Sequence, residues 1–222
     1  TFSGCSSLIT PPDLSGICYA KGSTFRETFS NCDLLESVAP MNVTEIDTSS
    51  ANQFRAMYYH CFAITDASPL RIGFATTTQN TFYQMFADDR NLSTAPDLTS
   101  ITTLAHQFMR LAFYNCLPLD VVKIGISEWG DFEDSTASDY NATYQWLSGV
   151  NSTGVFCKNS TLPVTRGINY IPTNWSIADL NGKLYAPVIT NNNNTITITE
   201  AEGGASCQIY YTVDGTTPTP EN

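Results

Sequence analysis

The sequence predicts an α/β solenoid, with one short strand and one short helix in each 27–29-residue unit, a C-terminal cap, and part of an all-β unit after it. Three observations carry this expectation. A frame of aromatic, turn residue, Cys and aliphatic recurs as FSGCSSL (2–8), FSNCDLL (29–35), YYHCFAI (58–64) and FYNCLPL (113–119), while FADDRNL (86–92) keeps the frame with Asp89 in the Cys place. Taking Phe2, Phe29, Tyr58, Phe86 and Phe113 as equivalent, the intervals are 27, 29, 28 and 27 residues, a period typical of stacked-repeat architectures. A proline stands at a near-constant place after the frame, at Pro12, Pro40, Pro69 and Pro96.

In chain order, each unit opens on its aromatic half. Phe25, Thr28, Phe29 and Cys32 stand at i, i+3, i+4 and i+7; Phe54, Met57, Tyr58 and Cys61 repeat the spacing, as do Phe82, Met85, Phe86 and Asp89, and Met109, Ala112, Phe113 and Cys116. That spacing predicts one inward face of a short helix. The residue before each Cys position is Gly4, Asn31, His60, Asp88 or Asn115, types that tolerate a left-handed backbone, so the helix is expected to stop there. An aliphatic follows three after the Cys position (Leu8, Leu35, Ile64, Leu92, Leu119) and another nine after it (Leu14, Met41, Leu70, Leu98). The stretch between is too short for a helix and reads as a strand, with the proline at its end, where the missing N–H has no partner to lose.

The Cys position is then the corner of a coil. Cys5, Cys32, Cys61, Asp89 and Cys116 are expected to point inward as structural residues, Asp89 accepting hydrogen bonds from backbone N–H groups there. A carboxylate cannot be half of a disulfide, and the seven cysteines contain no C-x-x-C pair, so mostly free, buried thiols are expected. Cys18, Cys157 and Cys207 lie outside this ladder, and their pairing stays open. No histidine stands at ligand spacing to a cysteine, so no metal and no other cofactor is expected.

Three segments result: repeats over 1–129 in four to five coils, a cap over 130–180 that holds Trp146 and Trp175, and strands over 181–222. An open stack needs such a non-repeating end to cover its last coil. Residue 1 falls inside a repeat, which suggests a cut or an ordering boundary. DFEDSTASD (131–139) gathers Asp131, Glu133, Asp134 and Asp139, but in no standard calcium spacing, and reads as a solvated acidic loop. After Leu184 apolar and polar residues alternate in YAPVIT, NTITITEA and CQIYYTVDG, with Asp214–Gly215 a turn.

The repeat units resemble the BspA-like leucine-rich repeats of Bacteroidetes surface proteins, whose units read FxxCxxLTxAPxL; the matching pieces here are FSGCSSLITPPDL, FSNCDLLESVAPM, YYHCFAITDASPL and FADDRNLSTAPDL. The likeness covers residues 1 to about 125, and 146–177 resembles the segment that closes such stacks. YYTVDGTTPT (210–219) resembles the Ig-like β-sandwich that ends chitobiases and β-hexosaminidases and recurs as a non-catalytic spacer in surface proteins. About forty residues are too few for a whole sandwich, so the chain is expected to continue. The resemblance implies a leucine-rich-repeat solenoid on a partial sandwich, in an extracellular setting on a cell surface or a virion, with an adhesive role.

The 222 residues carry a formal charge of −11, with ten basic residues scattered along them. Such a surface repels nucleic-acid phosphates and anionic lipid, and no run of eighteen apolar residues offers a membrane span. None of G-x-S-x-G, H-E-x-x-H or a phosphate-binding loop is present. His60 reads as a turn residue and His106 as an exposed helical one. The best carboxylate pair, Asp13 and Asp97, would stand roughly 14 Å apart at about 5 Å per rung, beyond the reach of glycoside hydrolysis. Seven N-x-[ST] sequons, at Asn42, Asn91, Asn141, Asn151, Asn159, Asn174 and Asn193, carry little weight in a chain this rich in Asn, Ser and Thr. The expectation is a non-enzymatic recognition or adhesion module that takes a protein or carbohydrate surface on its outward strand positions Thr10, Asp13, Ser37, Asn42, Asp66, Arg71, Thr94 and Asp97. The rival is a fibre or decoration component of a phage virion that infects gut bacteria.

Overall fold

The computed structural model of the chain describes residues 1–130, 141–180, 188–192 and 195–199. The expected helices do not form: none of the described residues is helical, and the strands are short and lie in small sheets. This overturns the α/β leucine-rich-repeat expectation. The aromatic half of each unit is instead a ribbon of consecutive turns, bonded sideways to the next coil.

The hydrogen bonds show how the ribbon works. The N–H groups of Phe54, Ala56, Tyr58 and His60 donate to the carbonyls of Thr81, Tyr83, Met85 and Ala87 in the following coil, at 3.0, 2.8, 2.9 and 3.1 Å. The N–H groups between them, on Arg55, Met57 and Tyr59, donate three residues back to Asn52, Phe54 and Ala56 at 3.4, 3.1 and 3.3 Å. Every second donor therefore closes a turn and the others tie coils together, so the ribbon pairs its backbone without a helix. The same alternation joins Phe25, Glu27, Phe29 and Asn31 to Gln53, Arg55, Met57 and Tyr59, and Met109, Leu111, Phe113 and Asn115 to Ala142, Tyr144, Trp146 and Ser148.

The geometry demands a left-handed residue at every fourth position. Asn52, Ala56 and His60 have φ of 67°, 52° and 59°; Asn80, Gln84 and Asp88 have 58°, 53° and 65°; Gln107, Leu111 and Asn115 have 52°, 54° and 59°. Gly4, Asn31, His60, Asp88 and Asn115 are left-handed as their residue types suggested, but they end a turn ribbon and not a helix. The spacing i, i+3, i+4, i+7 fits both structures, because a four-residue period and the α-helix's roughly 3.6 separate little over two turns. Phe54, Met57, Tyr58 and Cys61 all point inward with no exposed surface.

Those inward residues build a ladder. Phe2, Phe29, Tyr58, Phe86 and Phe113 stack ring on ring, with centroids 5.4, 5.3, 5.4 and 5.7 Å apart and planes within 6° of parallel. A second column runs Phe25–Phe54–Phe82–Phe108, tilted after its first step. Across the core from the rings stand short parallel strands: β1 (Tyr19–Ala20) pairs with β3 (Glu45–Ile46), and β2 (Met41–Val43) with β4 (Leu70–Ile72). Burial along β2 and β4 alternates in–out–in, so Met41, Val43, Leu70 and Ile72 meet the core while Asn42 and Arg71 face out. Isolated bridges Asp66↔Thr94 and Leu98↔Ile124 carry the pairing to β5 (Val121–Ile124).

From β5 the sheet widens to β6 (Gly154–Lys158) and β7 (Trp175–Asp179), both parallel. Gly125 follows β5 where a Cβ would lie 2.0 Å from the Thr99 carbonyl oxygen; only glycine lets the coils approach so closely. In this end of the molecule Trp146 and Trp175 are fully buried, each indole N–H donating 2.9 Å to a backbone carbonyl, Tyr170 and Asn151 respectively. The side-chain oxygen of Asn169 accepts the Gln145 N–H at 3.0 Å, ending the lateral ladder of the last ribbon.

Six cysteines are free: Cys32, Cys61, Cys116 and Cys157 are buried, while Cys5 and Cys18 are exposed, which corrects the expectation of an inward corner at Cys5. Beyond residue 180 the described backbone is one antiparallel strand pair, β8 (Val188–Asn192) with β9 (Thr195–Thr199). The acidic stretch 131–139, Cys207 and the 210–219 segment lie outside the described residues.

Candidate functional site

The outward strand positions follow the repeat frame, and so does the site. Five residues after each corner stand Thr10, Ser37, Asp66, Thr94 and Val121; seven after come Ser68, Pro96 and Lys123. Among the third, fourth and fifth coils these rows border an open cleft of about 360 Å³. Ser68 from the third coil, Ser93 to Asp97 from the fourth and Asp120, Val121 and Lys123 from the fifth line it. The elements place them simply: Pro96, its ring buried, lies between the bridged residues Thr94 and Leu98, and β5 carries Val121 and Lys123.

Two of the expected binding residues, Thr94 and Asp97, line this cleft, and Asp66 borders it by bridging Thr94. Thr10, Asp13, Ser37, Asn42 and Arg71 do not line it; Asn42 and Arg71 instead stand side by side, exposed, on β2 and β4. The carboxylates are also partly engaged. Asp13 accepts the Ser15 N–H at 2.8 Å, Asp66 the Ser68 N–H at 2.8 Å and its hydroxyl at 3.0 Å, and Asp97 the Thr99 N–H at 2.9 Å. These are Asx-turns, in which the side chain stands in for a backbone acceptor two residues ahead of the donor. The Ser15 bonds hold the Asp13 carboxyl below the usual range. Asn141, Asn151 and Asn159, the first residues of three sequons, accept from the residue two ahead in the same way.

Sequence reasoning missed Asp120, Val121 and Lys123 because the fifth coil lacks the marker proline. Their signal was the offset itself: counting four, five and seven from Cys116 reaches them. Val121, an apolar side chain with 39% of its surface exposed, is the outlier in its row.

A second outward face lies over the ribbon. Arg55, Tyr83, Arg110 and Tyr144 occupy one column, with the Arg55 guanidinium 4.7 Å from the Tyr83 ring and Arg110 5.6 and 4.7 Å from those of Tyr83 and Tyr144. Such stacking holds each arginine in one plane. Beside it, Asp88 takes the His60 Nε2 at 3.2 Å and the Asn115 amide at 2.7 Å, all three on left-handed backbone. His60 therefore is a turn residue held by a carboxylate. The nearby Cys61 and Cys116 thiols are pushed up, chiefly by burial, which disfavours the thiolate that nucleophilic chemistry uses. Among the described residues no group of three or more His, Cys, Asp and Glu is placed to hold a metal ion, and no helix is long and apolar enough to cross a membrane. Comparison of the chain with models of known protein families, with curated proteins and with solved structures found no match to any of them.

Proposed function

We propose that this chain is a non-enzymatic recognition module that takes a polyhydroxylated glycan in the cleft bordered by its third, fourth and fifth coils. The cleft carries the reading: two carboxylates, an ammonium and three hydroxyl side chains around the exposed apolar side chain of Val121. Sugars present hydroxyls in a ring around apolar C–H faces, and a shallow site with that mixture serves both. The repeat unit's likeness to BspA-like surface proteins gives the reading its extracellular setting, and burial of four of the six described thiols protects them there.

The test is binding of the purified chain to an array of neutral, amino-bearing and uronic-acid oligosaccharides. Wild type is expected to bind a subset. Thr94→Trp, which fills the cleft, abolishes that binding, Asp97→Ala weakens it about tenfold, the scale of one lost charged hydrogen bond, and Asn42→Ala leaves it unchanged. Binding that survives Thr94→Trp, or no binding to any sugar class, overturns the proposal.

A further inference from the structure

The corner ladder contains one rung that the mechanism of stacking does not explain as drawn. At the regular rungs the thiol donates to the carbonyl of the aromatic one coil earlier: Cys32 to Phe2 at 3.2 Å, Cys61 to Phe29 at 3.0 Å, Cys116 to Phe86 at 3.1 Å. Each of these carbonyls also accepts the N–H three residues ahead, from Cys5, Cys32 and Asp89 at 2.9, 3.2 and 3.2 Å. The corresponding carbonyl for the Asp89 rung is that of Tyr58. It has lost its turn partner, because the Cys61 N–H donates instead to Asp89 Oδ1 at 2.6 Å. Asp89 is completely buried, and its other oxygen, Oδ2, meets no donor.

Two buried acceptors at one rung, each without a donor, are reconciled by a single proton. We infer that Asp89 is held in the folded chain as a neutral carboxylic acid, with Oδ2–H donating to the Tyr58 carbonyl in place of the thiol, so that the joint between the third and fourth coils depends on a proton. The chemistry is the one the other rungs use, an inward donor to an aromatic's carbonyl, supplied by an O–H instead of an S–H.

The surroundings support it. From its own coil Asp89 faces Asp88; from the coil before, Cys61, Tyr58 and, through Asp88, His60; from the coil after, Cys116 and, again through Asp88, Asn115. Burial raises the Asp89 acid well above the carboxylate range, the Cys61 N–H opposes this, and Asp88 raises it further. With the folded value raised, the stabilisation is complete below the unfolded carboxylate value of about 3.9 and is lost as pH rises through the folded value.

The experiment compares urea unfolding of the full chain and its Asp89→Asn and Asp89→Cys variants from pH 4 to 9. Asparagine copies the neutral acid, with an oxygen for Cys61 and an N–H for Tyr58, and cysteine restores the regular rung. Both variants are expected to fold, and the folding constant of wild type relative to either falls about tenfold per pH unit between the unfolded and folded values. A ratio that stays flat over the range overturns the inference. A second readout needs no variant to fold: the native protein, labelled with ¹³C at its aspartate carboxyls, should show a protonated-carboxyl infrared band at neutral pH that disappears on alkaline titration. Absence of that band at neutral pH also overturns the inference.

Discussion

Tyr58 shows how much one side chain carries in this molecule. Its ring is the middle step of the aromatic ladder, 5.3 Å from Phe29 and 5.4 Å from Phe86, and its hydroxyl oxygen accepts the buried Ala39 N–H at 2.9 Å. Burial first of all pushes the phenol's acidity out of any working range, so it stays a neutral partner. Tyr58→Phe keeps the stack but leaves the Ala39 N–H unpaired, a loss of about 1–3 kcal/mol that should show as a lowered urea midpoint with unchanged slope. Much of this was legible. The aromatic beat, the left-handed residue after it and Asp89 as an acceptor of backbone N–H could all be read from residue type and spacing. The Ala39 contact could not, because no local pattern says where a phenol reaches nineteen residues away.

At the scale of the element, the turn ribbon is the feature that sequence reasoning did not find. Asn, His, Asp and Gly announce a left-handed backbone, but Glu27, Ala56, Gln84 and Leu111 adopt it as well, with φ of 54°, 52°, 53° and 54°. Nothing in those residue types prefers that conformation; the left-handed region costs an ordinary L-residue about 1–2 kcal/mol. The cost is offset by lateral hydrogen bonds that exist only once the next coil is in place. Gln84, half-buried, offers a clean test. Gln84→Gly relieves the strain and should raise stability by about 0.5 kcal/mol, net of glycine's greater unfolded freedom, while Gln84→Val, branched at Cβ, should lower it by more than that. Denaturant midpoints of the two variants, moving in opposite directions, check the point; movement in the same direction would remove strain at Gln84 as the reason.

Across the whole molecule, each coil bonds its neighbours and no others among the described ribbons, so energetic coupling should follow the stack. Double-mutant cycles read it. The adjacent pair Phe29→Leu and Tyr58→Leu should couple by about 0.5–1.5 kcal/mol, the worth of a stacked ring pair, whereas Phe2→Leu and Phe113→Leu, four rungs apart, should be additive within about 0.5 kcal/mol. Coupling of equal size in both pairs would mean that the ladder acts as one rigid unit. The cleft belongs to this scale too. Thr94 and Asp97 were legible as outward residues, but Asp120, Val121 and Lys123 join them only because β5 bridges through Ile124 to Leu98 of the coil that carries them.

The sequence by itself determined the repeat register, the inward set from Phe25 to Cys116, the left-handed corners at Asn31, His60, Asp88 and Asn115, and the reason an aspartate can stand among cysteines. These are local matters, settled by residue type and interval. Only the tertiary structure decided that the aromatic half is a laterally bonded turn ribbon and not a helix. The inward pattern is the same for both, and the choice rests on where alternate N–H groups find their partners: four residues back in one case, a whole coil away in the other. That partner lies some twenty-eight residues distant, where no local reading of spacing or propensity can see it.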